Sequence, residues 1–184
     1  MPILLHSNGA ILTKLNDIVT ELSPLNVRLK QFDSETSPLL CDLLSQDLLG
    51  ETAKQQILEF YDSRFAFLKQ EGEYSWSDLL TLHPGSANLY PLMTTYSRYH
   101  THSAPEALHI LAGEAIFGFT QADGTQLQLL VQPQDYIHIP ANTEHWFSLS
   151  VSLHLKAVRY FTTVEGWMPH YTGTVVNNPL GNLR

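Results

Sequence analysis

The chain has 184 residues, 43% of them hydrophobic, and ten Lys+Arg against 18 Asp+Glu give a formal charge of −8 at pH 7. That length sustains one sizeable core but not two ordinary domains, and the apolar content argues against disorder. The acidic balance disfavours nucleic acid or an anionic membrane as a partner, because both are bound through basic patches.

The single cysteine, Cys41, cannot form an internal disulfide, so a reducing compartment is permitted; it is expected to be a small buried apolar residue. The opening residues, MPILLHSNGAILTK, lack the basic start and long apolar run of a signal peptide. No window reaches the roughly 20 apolar residues of a membrane span. The expectation is a soluble, cytoplasmic, single-domain protein over 1–184, with an N-terminal section to about residue 88, a β core over about 89–175 and a surface tail over about 176–184.

Residues 1 to about 30 read as strand, short loop and strand, with apolar and β-branched residues at Ile3–Leu5 and Val27–Leu29. Residues from about 40 to 82 read as helical. Ile57, Phe60, Tyr61, Phe65 and Leu68 recur near the 3.6 period, and Gly72 is a plausible stop. WSDLLTLHP resumes as a strand or short helix and ends at Pro84. From about residue 90 the period changes to two, in the runs MTTYSRYH, EALHILAG, EAIFGFT, LQLLV, YIHIP, HWFSLS and LHLKAVRYF. Turn signals at 112–114, 122–124, 132–134 and 140–142 separate them. Many short strands with no helix between them predict an all-β sandwich or barrel.

Within that region HTHSAPEALHILAG carries chemistry. Alternate residues of a strand share a face, so His100, His102, Glu106, Leu108 and Ile110 could all point into one interior. A lone glutamate there would be expensive or take up a proton. Two imidazoles and a carboxylate converging on a divalent cation remove that penalty, and they form the ligand set of facial-triad iron sites. A second half follows in IPANTEHWF. Pro140-Ala141-Asn142 makes a tight turn in which Asn142 can take the left-handed conformation, and His145 emerges from it.

H-x-H-x3-E-x6-G and P-x4-H resemble the two metal motifs of the cupin superfamily. Within it, YHTHSAPE, PANTEHWF and above all AVRYFTTVEGWMPHYTG resemble the acireductone dioxygenases over most of the chain. The resemblance implies a cupin jelly-roll β-barrel with a helical N-terminal elaboration. It implies one Fe(II) or Ni(II) per chain on His100, His102, Glu106 and His145. It further implies an acireductone and O2 as substrates, and a monomer. The family makes a 2-keto acid and formate with Fe(II), and releases carbon monoxide as well with Ni(II).

The chain departs from the family around the site. Leu108 stands where the family usually has an arginine that supports the anionic substrate. Thr94 and Gln134 stand at the positions of two cupin glycines, His138 replaces a small residue, and His109 an apolar one. Arg159, which matches a family arginine, is the first candidate to compensate and the expected catalytic and substrate-binding cation. Tyr96, Phe147 and Trp167 match aromatic positions near the family's substrate pocket, and Leu108 shares that pocket by parity. Arg98 is expected at the surface, His138 at the rim, and His109, His154 and His170 away from the metal. Leu108 keeps two alternatives open: a cupin acting on a different diol or keto-enol, and a metal- and ligand-binding cupin without this activity.

Overall fold

The computed structural model describes residues 1–33, 37–72, 74–163 and 167–177. The chain starts with β1 (Ile3–His6) and β2 (Ile11–Leu12), which pair antiparallel. A helix, α1 (Leu15–Leu22), and a short 3-10 turn then lead to β3 (Arg28–Gln31). The reading of 1–30 as two strands and a loop missed α1. Its residues Leu15, Ile18 and Leu22 follow helical spacing, and Ile18 and Leu22 are fully buried. Three helices follow, α2 (Pro38–Ser45), α3 (Glu51–Phe60) and α4 (Asp62–Gly72), the last ending at the expected glycine.

Residues Trp76–Leu82 form β4, and α5 spans Leu89–Tyr96. The expected strand over MTTYSRYH is therefore a helix in its first half. Leu89, Leu92, Met93 and Tyr96 lie on one helical face packed against the core, which outweighs the β-preference of Thr94 and Thr95. Pro91 falls in the first turn, where its missing N–H has no intrahelical partner to lose. The remaining strands are β5 (His100–Thr101), β6 (Glu106–Gly113), β7 (Ala115–Thr120), β8 (Gln126–Val131), β9 (Asp135–Ile139), β10 (His145–Leu149), β11 (Leu155–Phe161) and β12 (His170–Tyr171).

Two antiparallel sheets result, ordered β12-β5-β10-β7-β8-β1-β2 and β3-β9-β6-β11-β4. Between them lies one apolar layer, with Leu108, Ile110 and Ala157 from the second sheet against Phe117, Phe119, Leu129 and Phe147 from the first. The outer face of the second sheet is buried too. Ala107, Leu111, Val158 and Tyr160 pack there against Leu40, Leu43, Ile57 and Leu68 of α2, α3 and α4. Six consecutive residues of β6, Glu106 to Leu111, are consequently all buried. A strand covered on both faces loses its polar alternation, which is why EALHIL reads as a run. This is the jelly-roll with helical elaboration that the motifs imply.

The turns that hold the sheets are built from special backbone conformations. Gly113 sits at φ +74, and a Cβ there would lie 2.0 Å from the His154 carbonyl oxygen, so only glycine fits beside the bulge in the β6–β11 pairing. Asn142 adopts φ +62, as its turn requires. Gln134, at a family glycine position, takes φ +81 while its N–H donates to the Ile110 carbonyl at 2.9 Å. The chain thus keeps the glycine conformation without the glycine and bears its strain.

Several expectations are settled by position. Cys41 is exposed on α2, not buried as expected, because α2 turns Leu40 and Leu43 to the sheet and Cys41 away. His109 points out of the inter-sheet layer, with its ring edge-on to Phe32 and Tyr61 at 5.1 and 5.3 Å. His138 is half-buried on β9, opposite Arg28 of β3. His154 and His170 are away from the inter-sheet layer, the former 3.4 Å from Asp47 and the latter exposed on β12. Arg98 is exposed and stacks at 3.7 Å over Tyr171. Of the expected surface tail, residues 178–184 lie outside the described residues; before them, the carbonyls of Val175 and Asn177 accept from Gln126 and Gln128. Among the described residues no helix is long and apolar enough to cross a membrane.

Replacing Gln134 with glycine should remove the left-handed strain, of about 1–2 kcal/mol, at the expense of some chain entropy. The expected net is a gain of up to about 1 kcal/mol, read as a higher urea midpoint at unchanged m-value. Stability should also depend on acid. Burial, reinforced by the Arg64 charge, lowers the His109 pKa to about 3, and burial with Arg28 lowers that of His138 to about 4. Unfolded histidines bind protons near pH 6.5, so below that value the unfolded chain takes up more protons. The contribution of both residues is therefore complete above pH 6.5 and falls as pH drops towards 4. Urea midpoints at pH 7.5, 5.5 and 4.5 should fall in that order, and His109→Leu should flatten the fall.

Candidate metal centre

The site lies at one end of the space between the sheets. His100 of β5 pairs directly with His145 of β10, and His102 follows one residue past the end of β5. Glu106 opens β6 in the opposite sheet, so the two halves of the motif reach one point from two layers. The Pro140–Asn142 turn is tied to the first half by a hydrogen bond from the Asn142 N–H to the His102 carbonyl at 2.8 Å.

Ligand atoms of His100, His102 and His145 lie within 4.8 Å of one another, and all three residues are buried. Glu106 is 6% exposed and brings Oε2 to 3.2 Å from Nε2 of both His102 and His145. Each ring has its Nδ1 against a backbone carbonyl: Arg98 for His100 at 2.7 Å, Met168 for His102 at 3.2 Å, and Thr143 for His145 at 2.8 Å. A carbonyl can only accept, so the neutral rings carry their protons on Nδ1 and turn Nε2 lone pairs to the centre.

That arrangement has a clear electrostatic meaning. Lone pairs of two imidazoles face a carboxylate oxygen at hydrogen-bond distance, and Nε2 of His100 is buried without a hydrogen-bond partner among the described residues. Protonating the rings would remove the clash only by crowding positive charge in a dry space. Burial, with the neighbouring His145 adding to it, lowers the His100 pKa to about 4. Burial opposes the charge on Glu106, and a positive partner shared with Nε2 of His102 and His145, a proton or a cation, is what holds its carboxyl below the usual carboxylate range. A carboxylate among imidazole lone pairs is a donor set that fits a divalent cation.

Beside Glu106 opens a narrow cleft lined by Tyr96, Leu108, Phe147, Arg159 and Trp167, all anticipated from the sequence, together with Leu80 and Leu92, which were not. Trp167 stacks at 4.4 Å on Phe161 and lies 6.4 Å from the His102 ring. The Tyr96 hydroxyl donates to the Trp167 carbonyl at 3.3 Å. Burial, then the negative charge of Glu106, raises its pKa, so Tyr96 stays a protonated donor. Leu108 is 2% exposed.

Arg159 lies directly across the β6–β11 pairing from Leu108 and across the β4–β11 pairing from Asp78. Its guanidinium is gripped by Asp78, Nε to Oδ1 at 2.8 Å and Nη2 to Oδ2 at 2.5 Å, and lies over the rings of Phe161 and Trp167. Both readings of Arg159 meet here: it forms an interstrand ion pair and it borders the cleft. Asp78 was missed, because an acidic residue in WSDLLTL has no visible partner until β4 and β11 are paired. The three supporting carbonyls carry no side-chain signal at all.

The comparisons with known proteins agree with this geometry. The model of the ARD/ARD′ family matches residues 25–169. A protein of Nostoc sp. described as acireductone dioxygenase is 54% identical over 180 residues, covering 98% of this chain and 99% of the relative. One from Microcystis aeruginosa with the same description is 46% identical over 179 residues, covering 97% of each. Among solved structures, the acireductone dioxygenase from Bacillus anthracis with a cadmium ion in its active centre superposes with a TM-score of 0.86 at 25% identity, covering 93% of this chain and 98% of the other. With the match of motif, fold and site, the chain belongs to the acireductone dioxygenase (ARD/ARD′) family.

Proposed function

We propose that this chain is a metal-dependent acireductone dioxygenase of methionine salvage, cleaving 1,2-dihydroxy-3-keto-5-methylthiopentene with O2. The observation that carries the reading is the buried meeting of three imidazoles and one carboxylate beside an apolar cleft with a cation at its edge. His100, His102, Glu106 and His145 are the ligands of one Fe(II) or Ni(II) per chain. The products are 2-keto-4-methylthiobutanoate and formate with Fe(II), or carbon monoxide, formate and methylthiopropanoate with Ni(II). When bound, such a metal supplies a Lewis acid with positions left open for the two oxygens of the ene-diol.

The chain's own residues do the rest. Leu108, Phe147 and Trp167 offer apolar surface for the thioether tail and keep water from the reacting end. Arg159 bears the positive charge that meets the anionic substrate, and Asp78 holds it by two nitrogens so that the guanidinium does not have to be ordered during binding. Tyr96 contributes a neutral hydroxyl at the same wall. All four ligands come from one chain, so a monomer suffices.

Leu108 supports a second reading. A buried leucine where the family has an arginine leaves the cleft with less positive charge, and Arg159 is already partly neutralised by Asp78. On that reading the chain acts on a different diol or keto-enol, or binds a ligand without turning it over.

Metal retention tests the ligand set. His102→Ala should lower metal content per chain well below one, by more than the roughly 10–100-fold affinity loss of removing a supporting hydrogen bond. Stripping the metal with a chelator should lower Tm by about 5–10 °C, since a ligand present at about 100 Kd stabilises by roughly 2.7 kcal/mol. Full metal content in the alanine variant would remove His102 from the set.

Steady-state kinetics on acireductone test the cleft. Arg159→Leu should cut kcat/KM by about 100-fold or more, the scale of one preorganised electrostatic donor, with metal content unchanged. Activity equal to the parent would end the role given to Arg159. Turnover absent from the parent with either metal, yet gained in Leu108→Arg, would establish the second reading instead.

A further inference from the structure

Among the described residues that line the cleft beside Glu106, Arg159 is the one cation, and that cation is already held. Asp78 stands directly across from it on the edge strand β4 and accepts from Nε and Nη2 with its two carboxylate oxygens, at 2.8 and 2.5 Å. The pair is only partly buried, with 25% of the Arg159 side chain and 34% of the Asp78 side chain open to solvent. An ion pair that exposed adds only about 0–1 kcal/mol to stability, so the fold has little need of an acid at this position. Its effect falls on the cleft.

A guanidinium offers two edges to a carboxylate, Nε with Nη2 and Nη1 with Nη2, each through two parallel hydrogen bonds. Asp78 fills the first edge. A second carboxylate can reach only the other edge, and there it meets the charge of Asp78 across a cation that carries a single positive charge. The headgroups of the ligands make this matter. On the dioxygenase reading the ene-diol brings its negative charge on two chelating oxygens, whereas the products with either metal include a carboxylate on the same thioether tail. Substrate and product then share the apolar wall of Leu108, Phe147 and Trp167 and the sign of their charge. An unpaired arginine at this wall would grip the product by a full fork and slow its release.

We propose that Asp78 is a specificity-determining residue: by filling one edge of Arg159 and opposing a second carboxylate at the other, it keeps the cleft from retaining the carboxylate product. The inference rests on the dioxygenase reading above. It gives Asp78 a part beyond fixing the guanidinium. A neutral acceptor such as asparagine could hold Arg159, whereas turning carboxylates away needs the charge.

Calorimetric titration of methylthiopropanoate, the simplest of those carboxylates, into the Ni(II)-loaded full-length chain tests this, alongside acireductone turnover with and without it. The parent should bind it with a Kd on the order of 10 mM or weaker. Asp78→Asn should bind it at least about tenfold more tightly, the scale of one charge-assisted hydrogen bond, and its turnover should be inhibited at correspondingly lower concentration. Asp78→Glu, which keeps the charge, should bind it as weakly as the parent. The gain should vanish in the Asp78→Asn/Arg159→Leu double variant, which separates Arg159 from the metal as its source. Damage to the fold or a misplaced Arg159 would weaken binding, so a merely structural role does not produce a gain. Unchanged or weaker binding in a folded Asp78→Asn, a gain shared by Asp78→Glu, or a gain that persists in the double variant overturns the inference; should Asp78→Asn not fold, Asp78→Ser carries the same comparison. A parent that turns over no acireductone with either metal overturns the dioxygenase reading and the product-release role with it.

Discussion

Everything around the centre depends on one electrostatic constraint: three imidazoles and a carboxylate are held together in a space almost closed to water. Each group alone would be a minor irregularity in an apolar core. Together they cannot all be satisfied by protons, because Nδ1 of every ring is already committed to a backbone carbonyl. The arrangement therefore pre-sets a pocket of lone pairs whose natural complement is a divalent cation. Its penalty without a cation is borne by the rest of the fold, chiefly by the two layers of apolar packing on either side of the second sheet.

That double packing also explains how the centre is held so firmly. Glu106 projects from a strand covered by helices behind and by the opposing sheet in front, so its backbone has little freedom to relax. The histidines come from the other sheet and from the loop beyond it, clamped by the His100–His145 pairing and by the hydrogen bond from Asn142 to His102. The geometry of the four side chains is thus set by sheet register and turn conformation, not by the flexible side chains themselves. The same sheet orders the cleft, since β11 sets Arg159 between Leu108 on one neighbour and Asp78 on the other.

Much of this was legible in the chain. The shift to a period of two, the spacing of His100, His102 and Glu106, and the turn before His145 are local patterns with direct physical meaning, and they led to the correct fold class and to the residues that meet. The failures were also physical. MTTYSRYH has the threonines of a strand, yet a helical face of Leu89, Leu92, Met93 and Tyr96 packs on the core and decides the matter. Gln134 holds a glycine conformation with no residue-type signal that it would. Cys41 is exposed because the rotation of α2 depends on which of its leucines find the sheet.

The sequence by itself determined the family, the jelly-roll class and the identity of the four converging polar residues, because those rest on residue types at short, fixed spacings. Only the tertiary structure decided what surrounds them. Whether Arg159 faces solvent or the cleft, that Asp78 grips it, and that carbonyls of Arg98, Thr143 and Met168 orient the rings all follow from strand pairing and layer packing. Those contacts join residues up to 81 positions apart. No local pattern encodes them, because the partner of a residue across a sheet is set by register, and register is settled by the whole core at once.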